Sequence, residues 1–227
     1  MFSQQFWYLG VLALLVIMLE VLVAIYAAEH KRVARVLLFC MATFVLSYQI
    51  GLFITTRIMP IAFSTFSYFL FGIAVFLPVR PFKSAAAFCS FLSGVAYMSV
   101  FLVYPNAIYA TLPDEKERIV GFVLHSLMLF GSLLLYGQYK VAKADVYYIL
   151  GFVAFIAVYT EVAVRICGSV QANFLTLGIV EATLIKYVVP DFVIRWWWYI
   201  LWYALAAVAI WAMWEWTRFI NNKLVRQ

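Results

Sequence analysis

Long apolar runs, each ended by a short stretch carrying charge, proline or asparagine, divide the chain from one end to the other. A helix needs about 20 mostly apolar residues to cross the hydrocarbon of a bilayer. Runs of about that length lie at 6–28, 34–56, 60–79, 84–104, 119–138, 145–167 and 198–219. The pattern predicts an all-α fold, a polytopic integral membrane bundle of about seven transmembrane helices in a single membrane domain, 1–227. The segment 168–197 breaks the pattern: it is apolar, yet interrupted by Gln171, Asn173, Glu181, Lys186, Pro190, Asp191 and Arg195. It reads as a lid at the outer interface, or as an eighth, tilted or re-entrant span. The run Trp196, Trp197, Trp198 and Tyr199 then marks the membrane surface, where amphipathic rings concentrate.

Composition agrees with the pattern. Hydrophobic residues make up 67% of the chain and charged ones 11%, an excess of apolar surface that no water-soluble fold hides. The first run has no basic stretch before it and contains Glu20, so it is expected to be a retained helix and not a cleaved signal. A net charge of +6 does not point to nucleic acid, because the basic residues are scattered among loops. Their use is orientation. With the N-terminus outside and the C-terminus in the cytoplasm, ten of the 16 Lys and Arg fall on the cytoplasmic side and six on the other, the bias that the positive-inside rule counts. Cys40, Cys89 and Cys167 show no metal or disulfide spacing, so they are read as packing residues. No cofactor and no metal is expected.

Polar groups within an apolar span are costly and invite either a packing or a functional reading. His125 lies six residues into the fifth run, about 9 Å below the outer edge at 1.5 Å per residue. It is either a histidine hydrogen-bonded between helices or a general base. A base needs a hydroxyl or thiol within reach. Ser64, one turn after Pro60 and about 6 Å deep, is the candidate nucleophile, although serines in membrane helices commonly serve close packing. Glu161 completes the layer. It either pairs with Arg165 at i+4 or orients His125 as the carboxylate of a catalytic triad does. Asn173 and Tyr68 are the candidate substrate contacts. Glu20 lies deeper, in the cytoplasmic half, and is read as a proton or ion site or a hydrogen-bonded acid. Glu215 and Arg218 at i+3 form an expected interfacial pair, and Ser90, Ser93, Gly94 and Tyr97 form an expected small-residue packing stripe.

The stretch Met59-Pro60-Ile61-Ala62-Phe63-Ser64, the segment Gly121 to Gly131 around His125, and Asn173-Phe174 followed by Pro190 to Tyr199 together resemble the YwaF-like integral membrane proteins, which include transmembrane protein 164. The likeness covers about 140 residues, from Met59 to the last helix. It departs from the family pattern at two places: the usual histidine is Ala62, and the usual cysteine is Ser64. In that family, and in the similar androgen-induced hydrolases of lipid esters, a Cys or Thr nucleophile and a His are held responsible for acyl transfer or ester hydrolysis on lipids. The resemblance therefore implies Ser64 at the nucleophile position, His125 at the base position, membrane lipids as partners, and residence in a bacterial plasma membrane. Two further readings stay open: a non-catalytic subunit or scaffold of a membrane-protein complex, and a small-molecule transporter that stacks a ligand on Trp202, Trp211, Trp214 and Trp216.

Overall fold

The computed structural model describes residues 7–56, 62–77, 79–103, 114–167 and 196–224, with the backbone alone for many residues between 157 and 167 and between 196 and 209. These residues form seven helices and no strand: α1 (Trp7–Glu29), α2 (Lys31–Thr56), α3 (Phe63–Phe76), α4 (Arg80–Val103), α5 (Glu115–Tyr136), α6 (Asp145–Cys167) and α7 (Trp196–Leu224). Each overlaps one predicted span. Four of them, α1, α2, α4 and α5, are long and apolar enough to cross a membrane.

The helix ends follow local chemistry. Asp114 caps α5, its carboxylate accepting from the Lys116 N–H at 2.9 Å, and Glu115 and Glu117 in the first turn complement the helix dipole. Because Leu77 precedes Pro78, the α conformation is disfavoured there. Leu77 accordingly takes φ −114° and ψ 85°, and α3 stops at Phe76. Pro81 sits in the first turn of α4, where its missing N–H costs no helical bond.

The helices α4 and α5 form the centre of the bundle. Just over half of the membrane-length window of each is buried, against about a quarter for α1 and α2. The outer faces of α1 and α2 present Leu15, Leu19, Leu22, Val36, Phe39 and Ile54, side chains that are at home against lipid and not against water. Between helices in lipid, close van der Waals packing replaces the hydrophobic effect as the source of attraction. Small residues supply it: a Cβ on Gly94 of α4 would lie 2.7 Å from the Leu129 backbone nitrogen of α5. Gly131 of α5 is covered by Phe71 of α3 in the same way, at 2.6 Å. The predicted packing stripe on α4 is therefore observed, with Ser90, Ser93 and Gly94 buried.

At the end of the bundle where α5 gives way to α6, polar side chains lock the turn. Asn221 of α7 donates to the carbonyls of Tyr136 (2.6 Å) and Tyr139 (2.8 Å) and accepts from the Val141 N–H (2.9 Å). Asp145, whose side chain is fully buried, accepts two hydrogen bonds from the Arg80 guanidinium (2.8 and 3.1 Å) and one from the Ala142 N–H (2.7 Å). Neither cluster was anticipated from the sequence. Asn221→Ala would strand two carbonyls and one N–H. It is expected to cost about 3 kcal/mol, since each buried unsatisfied group costs roughly 1–3 kcal/mol. The check is thermal unfolding in detergent, with Asn222→Ala, at an exposed neighbouring position, expected to leave the midpoint in place.

Glu215 and Arg218 form the expected pair, with Nη1 3.0 Å from each carboxylate oxygen. Cys89 is buried and Cys40 is exposed on α2. Of the last-helix tryptophans whose side chains are described, Trp214 turns inward while Trp211 and Trp216 face outward.

Candidate functional site

Polar side chains that share no span in sequence meet around His125. The α4–α5 approach at Gly94 sets the imidazole of α5 beside the α4 backbone. Its Nδ1 lies 3.1 Å from the Ser93 carbonyl oxygen and 3.2 Å from Ser93 Oγ. A carbonyl oxygen only accepts, so Nδ1–H donates to it. In the neutral ring that leaves the lone pair on Nε2, the tautomer that can take a proton.

Aromatic rings hold the imidazole in place. Tyr97, one turn beyond Ser93 on α4, stacks on it at 4.0 Å between centroids with the planes 6° apart. Tyr68 of α3 meets it edge-on at 5.8 Å. The Tyr97 phenol lies directly over Gly121, where a Cβ would stand 2.6 Å from its oxygen. That oxygen is buried and has no hydrogen-bond partner among the described residues. Gly121 is thus the space that lets Tyr97 lie flat on His125.

The structure places the sequence candidates as follows. Ser64, half-buried on α3, sits beside the Tyr68 phenol one turn on, and Tyr68 in turn touches His125. The three therefore form one layer, with Tyr68 as the member that contacts the imidazole. Ser64 itself is not a hydrogen-bond partner of His125 Nδ1, which is committed to Ser93. Glu161 is on α6, but its side chain and that of Arg165 lie outside the described residues, as do Asn173 and the whole of 168–195. The α6 helix does reach this level of α3: Tyr159, two residues before Glu161, packs edge-on against Phe66, two after Ser64, at 4.9 Å. Among the described residues no group of three or more His, Cys, Asp or Glu is arranged to hold a metal.

Ser93 and Tyr97 are the residues in contact with the imidazole that the sequence does not assign to the candidate site. Both belong to the stripe that recurs at i, i+3, i+4 and i+7 from Ser90, a packing pattern that the close approach at Gly94 bears out. Their spacing of four, with a hydroxyl and a phenol on one helical face, was the available signal.

A cavity of about 570 Å³ opens between α1, α4 and α5. Tyr8, Leu9 and Leu12 line it from α1, Phe101 from α4, and Ile119 and Phe122 from α5, with Glu115 and Arg118 providing the polar lining. Its inner wall is continuous with the His125 layer: Phe122 packs on Phe101 (5.1 Å), Phe101 on Tyr97 (5.4 Å), and Tyr97 on His125. Comparison with known proteins adds nothing to this geometry, since no family model, curated protein or solved structure matches the chain.

One consequence can be measured at Gly121. Gly121→Ala is expected to push the Tyr97 ring off His125, because the added carbon would overlap the phenol oxygen. The tyrosine fluorescence and near-ultraviolet circular dichroism of this cluster should change, while helix content stays at the wild-type value.

Proposed function

We propose that this chain is a membrane-embedded enzyme of lipid esters, an acyltransferase or ester hydrolase of the YwaF-like kind, with His125 as its base. The observation that carries the reading is the position of the imidazole. Its Nδ1–H is spent on a backbone carbonyl, its Nε2 is left to act as a base, and it lies behind the aromatic wall of a cavity that is apolar on most of its lining and charged at Glu115 and Arg118. An acyl chain suits the apolar part of such a site and an ester headgroup the charged part.

In this reading Ser64 Oγ forms a bond to the acyl carbonyl carbon. Its proton passes through the Tyr68 phenol to His125 Nε2. The ester C–O bond breaks, and the departing alkoxide takes the proton from the imidazolium. A second lipid alcohol, or water, then attacks the acyl-serine with His125 again as base, which restores Ser64 and completes transfer or hydrolysis. The lipid enters between α1, α4 and α5, where the cavity opens. Glu161 steadies the imidazolium by its charge, since both ring nitrogens are otherwise engaged, and Asn173 contacts substrate from the outer segment. The N-terminus faces outside, the C-terminus faces the cytoplasm, and the membrane is a bacterial plasma membrane.

A fluorophosphonate probe tests the serine directly, since it phosphonylates a hydroxyl, with loss of fluoride, only where a base activates it. Ser64 is expected to be labelled in wild-type protein, and labelling should be lost in Ser64→Ala and in His125→Asn. An unlabelled Ser64 in folded protein overturns the assignment.

A second reading has its own observation. Tyr68 stands at the imidazole where a directly activated serine would be expected, and Ala62 and Ser64 replace the family's His and Cys. Both fit a member that kept the scaffold as a subunit of a membrane complex. That reading predicts a partner which co-purifies in stoichiometric amount, with assembly unaffected by Ser64→Ala.

A further inference from the structure

Glu20 takes no part in the His125 layer, yet it is the one acid on the inward stripe of α1. Ala13, Glu20, Ala24 and Ala27 are the buried residues of that helix, so a carboxyl stands in a row of methyl groups. It lies about 20 Å from the first residue of α1 in a helix about 33 Å long, at 1.5 Å per residue. Small neighbours let α5 come close, and Ser126 of α5 hydrogen-bonds Glu20 Oε1. The other oxygen, Oε2, is sealed from solvent and has no hydrogen-bond partner among the described residues. The residue as a whole is 9% exposed.

The ionisable groups of the helices packed against α1 are engaged elsewhere or stand at the ends. On α4, Tyr97 is stacked on His125, Arg80 is bonded to Asp145, and Lys83 stands in the first turn. On α5, His125 is tied to Ser93, while Glu115, Lys116, Glu117 and Arg118 occupy the first turn. On α2, Lys31, Arg32 and Arg35 are exposed in the first turns. None of these forms an ion pair with Glu20. With no cation beside it among the described residues, a carboxylate in a membrane interior is unfavourable in its charged form. A proton removes the charge and turns the orphan oxygen into a hydroxyl.

We propose that Glu20 is a proton-binding site inside the bundle, a carboxyl that holds its proton in neutral medium with Ser126 as its hydrogen-bond partner and exchanges it with the medium. The ligand is the proton itself, and the proposal is independent of the ester chemistry at His125.

Dicyclohexylcarbodiimide in membranes containing the intact chain is the test. A protonated carboxyl gives its proton to a carbodiimide nitrogen, and its oxygen bonds to the central carbon. Acyl migration to nitrogen then leaves a stable acylurea containing the whole reagent. Mass spectrometry is expected to locate this adduct on Glu20 at neutral pH, with its yield falling as the medium is made alkaline, and with loss of the adduct in Glu20→Gln. Glu215, paired with Arg218 at the surface, should stay unmodified. Ser126→Ala removes a donor to the charged form and is expected to raise the yield. An infrared carbonyl band of a protonated acid, present in wild-type protein at neutral pH, supports the proposal without any variant. Glu20 left unlabelled at neutral pH but labelled in acid overturns it, as does the absence of that band.

Discussion

Gly94→Ala is expected to destabilise the bundle by about 3 kcal/mol or more, at the upper end of what overpacking a tight contact costs. The reason lies in what the new carbon would meet. On the facing helix it would stand 2.7 Å from the Leu129 nitrogen and 2.8 Å from the Leu129 Cα, backbone atoms that no rotamer change can move aside. The helices α4 and α5 would have to separate, and with them the Ser93 carbonyl from the His125 imidazole. Gly51→Ala and Gly151→Ala provide the contrast, because nothing lies within 4 Å of either added carbon. Those two should be neutral or stabilising by up to about 1 kcal/mol from helix propensity alone. Thermal unfolding of the three variants in one detergent gives the comparison, and equal midpoints would show that the α4–α5 contact is not where the fold is held.

The second large effect concerns His125→Asn. The asparagine amide can still donate toward the Ser93 carbonyl, but nothing replaces Nε2. If His125 is the base, turnover of a lipid ester should fall by about 10² to 10⁴, the usual contribution of a positioned acid–base group, in protein still folded at the assay temperature; loss of the Tyr97 stack lowers the midpoint in either case. A histidine with only a packing role predicts the same lowered midpoint but no specific loss of turnover in the folded variant. Tyr68→Phe separates the relay from the edge contact, since it keeps the ring against His125 and removes the hydroxyl beside Ser64.

The helices were legible because an apolar run of span length has few other uses. The spans 34–56 and 145–167 correspond closely to α2 (Lys31–Thr56) and α6 (Asp145–Cys167). The misplaced ends share a cause. Hydropathy ignores a charged first turn, so α4 begins at Arg80 and not at 84, and α5 begins at Glu115 and not at 119. In both cases the polar turn is held by something a hydropathy reading does not register: the Asp145 partner of Arg80 and the Asp114 cap of α5. Likewise α7 runs to Leu224, past the predicted end at 219, with Asn221 reaching into the α5–α6 turn.

The candidate site was legible only by depth along each helix. Depth put Ser64 and His125 in one layer, and the structure joins their helices there through Tyr68. It did not identify which neighbour holds the imidazole, because Ser93 and His125 are 32 residues apart, and pairing between helices is a tertiary property. For the same reason Glu20 had no partner in the sequence, while its partner Ser126 stands 106 positions away.

If the His125 layer performs acyl chemistry on lipid esters, vesicles containing the purified chain should turn over labelled lipid. Mass spectrometry of the lipids should reveal a free or transferred acyl product with wild-type protein and its loss with His125→Asn protein that is still folded. Equal product from both proteins, or none from folded wild-type protein across a panel of lipid esters, would contradict the account.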